Sequence, residues 1–217
     1  MSTTFAVSGQ HYLFSVQTFA HTVLSVGGDA YDYAFRSRTT QGVIDDVASG
    51  ASELGVLFQT TESEAELNQA FADAGVTFTV LAESAPRVAL PSSHPLVNAK
   101  SLSLADLDDY PYLYFEQEAG KSAAFAEEAL AAVPHAKRIA TTDRASLSEL
   151  IVALNGYTVT RGILVGISDG SALTTVPLET DVKLRLGFIE KRDASLSEVG
   201  LRFIEGLKKN LTKYARA

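Results

Sequence analysis

Apolar side chains along the chain alternate between short unbroken runs and series spaced three or four apart. Phe5-Ala6-Val7 is a run that stops at Ser8-Gly9, and from His11 to Val26 apolar residues recur at Leu13, Val16, Ala20, Val23 and Leu24. The first pattern predicts a strand and the second a helix with its core stripe on those five positions. Gly27-Gly28 ends the helix, Tyr31 to Phe35 predicts a second strand, and Thr39-Thr40 cap a helix running to about Ser49. A third strand follows over Glu53 to Phe58. Thr61 and Glu64 stand at capping-box spacing before a helix through Ala74, and Val76 to about Ala82 reads as the next strand.

A second set begins near Arg87-Val88-Ala89-Leu90 and the loop Ser92-Ser93-His94-Pro95-Leu96. It continues with a short helix over Leu104 to Asp108, a strand over Tyr112 to Phe115 and a helix over Ser122 to Ala132. Then come a strand near Arg138-Ile139-Ala140, a helix from about Ala145 to Leu154 and a strand over Tyr157 to Val165. Val182 to Ile189 is a last strand, and Ser195 with Glu198 caps a long helix with Leu196, Val199, Phe203, Leu207 and Leu211 on its apolar face. Strands alternating with helices predict a parallel, doubly wound α/β architecture with right-handed crossovers. Two such sets predict two lobes, and no Pro/Gly/Ser-rich tether or internal repeat separates them.

Composition narrows the class. In 217 residues, 46% are hydrophobic and 20% charged, ordinary usage for a chain that buries a core. The formal charge is −8, from 18 Lys and Arg against 26 Asp and Glu. Binding duplex DNA needs a concentrated basic stripe, and the sequence offers only Lys208, Lys209, Lys213 and Arg216, cations suited to the last turns of a helix. The chain alone is therefore not expected to bind DNA. The absence of cysteine excludes disulfides, thiolate catalysis and cysteine-ligated zinc. No apolar run approaches the ~20 residues that span a bilayer, and residues 1–10 lack the character of a signal or transit peptide, so no membrane partner and a cytoplasmic location are expected.

The stretches SGASELGVLF and FTVLAESAPRVALPSSHPLVNAKSLSLADLDDYPY, between Ser49 and Tyr112, closely resemble the LysR substrate-binding domain. In that family an acidic residue and Gly in the third strand, an HPL loop, a short Leu-bearing helix and a Pro-bearing strand follow one another at these distances. SLSELIVALNGYTVTRGIL resembles the family's helix and strand entering the ligand cleft. The resemblance implies a fold like that of type 2 periplasmic binding proteins: two Rossmann-like lobes, residues 1–83 with 182–217 and residues 84–181, and an interlobe cleft. It also implies a small-molecule effector, a homodimer or higher oligomer, and DNA contact only through a winged helix-turn-helix that this chain lacks, since Met1-Ser2-Thr3-Thr4 leads straight into the first strand. The extra apolar residues Tyr12, Phe14, Phe19 and Val26 fit a helix buried both inside and at such an interface.

In open α/β sheets ligands gather at the carboxyl ends of strands, where helix N-termini present free backbone N–H groups to anions. The turns to inspect are Ser8-Gly9-Gln10, Arg38-Thr39-Thr40, Gln117 to Ser122 and Thr141-Thr142-Asp143. A hydroxyl, a glycine and an amide suit a carboxylate, and the same residues suit an ordinary helix cap, so Ser8, Gly9, Gln10, Thr39 and Thr40 carry both readings. Gln117, Thr141 and Thr142 stand likewise. Arg38 and Arg161 would favour an acidic effector through bidentate pairing, or would be solvated surface.

Other motifs fail on context. Gly166-Ile167-Ser168-Asp169-Gly170 spells G-x-S-x-G, but an extended stretch over Ser171 to Val176 follows where a nucleophile elbow needs a helix, and the last histidine is His135. Gly120-Lys121-Ser122 resembles the end of a phosphate loop whose first glycine is replaced by Phe115, although Lys121 and Ser122 could still approach an anion. His11, His21, His94 and His135 show no ligand spacing, and His94 reads as a structural turn residue. No enzyme activity, metal or cofactor is expected. A transporter's solute-binding protein and a dehydratase- or deaminase-like enzyme share the fold and are the competing readings.

Overall fold

The computed structural model describes residues 3–165 and 172–214. In chain order the first elements are β1 (Thr3–Gly9), α1 (Leu13–Val26), β2 (Tyr31–Ser37), α2 (Thr40–Ser49), β3 (Leu54–Thr60), α3 (Glu64–Asp73) and β4 (Val76–Ser84). Next come β5 (Arg87–Pro91), β6 (Tyr112–Phe115), β7 (Arg138–Thr141), α4 (Arg144–Leu154), β8 (Thr158–Thr160) and β9 (Leu173–Pro177), then β10 (Leu184–Lys191) and α5 (Glu198–Tyr214). The chain divides into two compact units: Met1–Phe58, Ala65–Ala82 and Arg185–Ala217 form one, Gln59–Glu64 and Glu83–Leu184 the other.

The first unit is built on a five-stranded sheet of order β2-β1-β3-β10-β4, in which β1 runs parallel to both β2 and β3. β3 is buried along its whole length, which explains its unbroken apolar run. The second unit departs from the expected all-parallel pattern. Its β8-β5-β9 sheet is antiparallel throughout, whereas β6 and β7 pair parallel, with Phe115 opposite Thr141. Leu113, Phe115, Leu147, Ile151 and Leu173 form its core.

Helix α1 exists as its periodicity predicts but turns a different face inward. Phe14, Ser15, Thr18 and Thr22 are buried, whereas Val16, Ala20 and Leu24 of the expected core stripe are exposed. The buried hydroxyls are satisfied within the helix: Ser15, Thr18 and Thr22 donate to the carbonyls of Tyr12, Phe14 and Thr18. Small residues let α5 come close, and a Cβ on Gly206 would lie 2.9 Å from Thr18 Cγ2. Asn210 Nδ2 donates to Thr18 Oγ1 at 2.8 Å. The aromatic residues face inward as well, Phe19 packing against Phe5, Phe35 and Phe203 and Tyr12 against Phe58.

Two caps sit one residue or two from where the spacing puts them. Thr60 and Ser63, not Thr61 and Glu64, bond reciprocally: each hydroxyl accepts from the other's backbone N–H, at 2.8 and 2.9 Å. Ser197 rather than Ser195 starts α5. Its hydroxyl accepts from Gly200 N, while its own N–H and hydroxyl donate to the two carboxylate oxygens of Glu53.

The helix expected over Ser122 to Ala132 is reduced to a single 3₁₀ turn, Ala123–Phe125. Tertiary contact overrides propensity there, because Glu127, Glu128 and Ala129 are buried and Glu128 Oε1 accepts from Phe115 N at 3.0 Å at the end of β6. Leu130 then takes a positive φ of 62°. The strand expected over Tyr157 to Val165 stops at Thr160, since Gly162 has φ +92° and a Cβ there would collide with Arg87. The Gly166 to Gly170 motif lies outside the described residues, as do Ser171, Arg216 and the Lys213 side chain.

Candidate functional site

In the first unit the Ser8, Gly9, Gln10, Arg38, Thr39 and Thr40 positions come together at the carboxyl ends of β1 and β2. The Arg38 N–H donates to the Gly9 carbonyl at 2.9 Å, which ties the two turns. Most of these side chains are already engaged. Ser8 is fully buried and bonds Asp46 and the hydroxyl of Ser52. Gln10, 1% exposed, donates from Nε2 to Thr40 Oγ1 at 2.6 Å and accepts at Oε1 from Phe58 N at 3.0 Å. Thr39 is the N-cap of α2, its hydroxyl accepting from Gly42 N at 3.2 Å.

Arg38 is largely exposed and holds Asp46 Oδ2 through Nε at 3.0 Å. Asp46 thus receives both Ser8 and Arg38, and Ser52 is reached by Ser8 and by Arg36 Nη1. Sequence reasoning missed Asp46 and Ser52. The available signal was an acid placed between Val43 and Val47, the buried positions of α2, where a solvated residue is not expected.

In the second unit Gln117, Thr141 and Thr142 meet where β6 and β7 end. Glu116 N donates to the Thr141 carbonyl at 2.8 Å, and Gln117 Nε2 reaches back to the Phe115 carbonyl at 3.4 Å. Thr142 is exposed and immediately precedes Asp143, the N-cap of α4, whose carboxylate accepts from Ser146 N at 2.9 Å. The Thr141 hydroxyl is buried and bonds no other group in the structure. Lys121 stands 4.6 Å over the Phe125 ring, and the Ser122 hydroxyl accepts from Ala124 N.

Arg161 lies apart from these turns, on the exit of β8. It is buried at 8% exposure, which sets aside a solvated-surface role, and its Nε donates to Ser84 Oγ at 3.1 Å. His94 is a buried turn residue: Nδ1 accepts from Leu96 N at 3.1 Å, the ring lies on Tyr110, and burial pulls its pKa below the ordinary value.

Near the second-unit turns the structure buries a carboxyl, Glu128, from the segment expected to form a helix. Glu128 Oε2 has no hydrogen-bond partner, and burial, with Glu127 beside it, pushes its pKa well above the ordinary carboxyl range. Among the described residues no group of three or more His, Asp or Glu is placed to hold a metal ion, and no helix is long and apolar enough to cross a membrane.

A family model described as the LysR substrate binding domain matches residues 32–212. Among solved structures the chain is similar to HinK, a LysR-family transcriptional regulator of Pseudomonas aeruginosa, at 14% identity and a TM-score of 0.67, covering 99% of this chain and 71% of that one. It is similar to the effector-binding domain of QuiR in complex with shikimate, at 13% identity and a TM-score of 0.64 over 99% of both chains. A variant OxyR regulatory domain from Pseudomonas aeruginosa aligns at 10% identity and a TM-score of 0.65, over 97% of this chain and 99% of that one. A comparison with curated protein sequences gave no match.

Proposed function

Because the chain belongs to the LysR substrate-binding domain family, whose members are effector-binding domains of transcriptional regulators, we propose that it senses a small anionic metabolite through its strand-end turns. The observation that carries this reading is the same in each unit. Two parallel strands end side by side and a helix begins at once, α2 behind Arg38-Thr39 and α4 behind Thr142-Asp143. Helix N-termini at strand ends offer backbone donors and a partial positive charge to an anion. Because the Ser8, Gln10 and Thr39 side chains are engaged internally, contacts in the first unit come from backbone N–H groups and exposed Arg38, and in the second from backbone N–H groups, exposed Thr142 and the Thr141 hydroxyl; Arg161, apart from both turns, is a contact only for a ligand that reaches the exit of β8.

Effector binding would shift the equilibrium between conformations of a regulator. The outward stripe of α1, with Val16 38% and Leu24 80% exposed, suits a second copy of the chain. DNA contact belongs to a part of the regulator other than residues 1–217, whose net charge of −8 opposes phosphate. The test is a thermal-shift screen of small carboxylates, shikimate among them. An effector at 100-fold excess over its Kd adds about 2.7 kcal/mol of stability. If no acid stabilises the protein, the anionic-effector reading fails.

A further inference from the structure

A pocket of about 440 Å³ opens in the first unit along β1 and β2, where Thr4, Phe5 and Ala6 face Asp32, Ala34 and Arg36, and none of the residues of the Gly9-Gln10 and Arg38-Thr39 turns lines it. Its floor follows from the register of the two strands. Thr4 pairs with Asp32, Ala6 with Ala34 and Ser8 with Arg36, and residues two apart share a face. Two alanines therefore sit side by side where larger residues would fill the space, with Val47 and Leu196 as apolar walls. Asp32 and Arg36, four residues apart on one strand, stand about 13 Å from each other along β2.

The charges around this floor are not equivalent. Arg36 Nη1 donates to the Ala51 carbonyl and to Ser52 Oγ, each at 3.2 Å, which orients the guanidinium and leaves its Nε–Nη2 edge for a carboxylate in bidentate geometry. Lys191 adds a second cation to the lining. Glu53 also lines the pocket, but both its oxygens are held by Ser197. Asp32 is an exposed acid at the other end of the alanine floor.

We propose that this pocket is a second small-molecule site, selective for a monocarboxylate. The apolar body of the ligand lies on Ala6 and Ala34, its carboxylate meets Arg36 and Lys191, and Asp32 rejects a ligand carrying a second anionic group at its far end. The site is separate from the strand-end turns, yet Ser52 bonds both Arg36 and Ser8, so a ligand here would lie two hydrogen bonds from the Ser8 turn.

Two-dimensional NMR titration of the protein with hexanoate and with adipate tests this. Hexanoate is expected to shift the amide signals of residues 4–6, 32–36 and 191–196, with adipate at least about threefold weaker. Ala34→Leu, which fills the floor, should abolish those shifts, and Lys191→Met should weaken hexanoate by about threefold. Should Ala34→Leu fail to fold, Lys191→Met on the exposed rim decides alone. The proposal is overturned if hexanoate leaves those amides unmoved, if its shifts are confined to residues 38–40 or 141–143, if adipate binds as well as hexanoate, or if Lys191→Met binds like wild type. A carboxylate that stabilises the protein through residues 38–40 or 141–143 alone would uphold the strand-end reading and sink this one.

Discussion

Gln10→Leu separates a framework residue from a ligand contact. The native side chain is 1% exposed and joins three elements, accepting from Phe58 N on β3 and donating to Thr40 Oγ1 on α2 from its place after β1. Leucine matches its bulk and offers neither group. The Phe58 N–H is then buried without an acceptor, which costs about 1–3 kcal/mol, and the bond to Thr40 is worth about 1 kcal/mol more. With a loss of about 3 kcal/mol, and each kcal/mol moving the midpoint by about 2–4 °C in a chain of this size, Tm should fall by about 6–12 °C. Differential scanning calorimetry measures this directly, with Thr142→Val as a control that breaks no internal bond. A fall of less than about 2 °C would refute the reasoning and return Gln10 to the effector site.

Thr142→Val should leave Tm unchanged and weaken the effector found by screening, by about fivefold for one lost hydrogen bond, as read by isothermal titration. Ser197→Ala removes the cap of α5 and the hydroxyl that donates to Glu53 Oε2, while the backbone N–H bond to Oε1 stays, so urea unfolding should show a loss of about 1–2 kcal/mol. Glu128→Gln keeps an acceptor for Phe115 N while removing a carboxyl whose pKa is raised in the fold. In the native protein a raised carboxyl pKa means the folded state holds the proton longer than the unfolded one, so its contribution is complete below the unfolded pKa and is lost as pH climbs toward the folded value. The variant should therefore match wild type near pH 4 and exceed it increasingly above that in urea melts; a constant difference across pH would show that Glu128 does not titrate as its burial demands.

Much of the fold was legible because long apolar patterns survive single errors. β3, β6 and α4 fall within a residue or two of their apolar runs, and Gly27 and Gly50 end α1 and α2 in positive-φ conformations that favour glycine. The failures share a cause. α1 carries apolar residues nearly all round, so periodicity could not choose its inner face, and the choice fell to the close approach of Gly206 and to hydroxyls that satisfy themselves on the helix's own carbonyls. The Ser122 to Ala132 segment has helix-forming composition, yet Phe115 N at the end of β6 needed an acceptor that Glu128 supplies. The antiparallel β8-β5-β9 sheet was equally hidden, since strand direction is decided by connections that a short apolar run does not record.

The strand-end turns were legible in place and less so in chemistry. The turns after β1 and β2 and those after β6 and β7 do meet as the alternation of strand and helix implies, but a hydroxyl or amide at such a turn satisfies either a ligand or the backbone around it, and one sequence does not say which. The structure divides them by burial and by partner. Ser8 and Gln10 have exchanged water for Asp46, Ser52, Thr40 and Phe58, so pulling them toward an effector would leave buried donors unpaired at about 1–3 kcal/mol each. Thr142 and Arg38 carry no such cost, being exposed, with Arg38 paired only across an accessible surface to Asp46, where an ion pair is worth at most about 1 kcal/mol. Effector specificity in this chain should therefore follow Arg38 and Thr142, while exchange of Ser8 or Gln10 alters the platform that holds them.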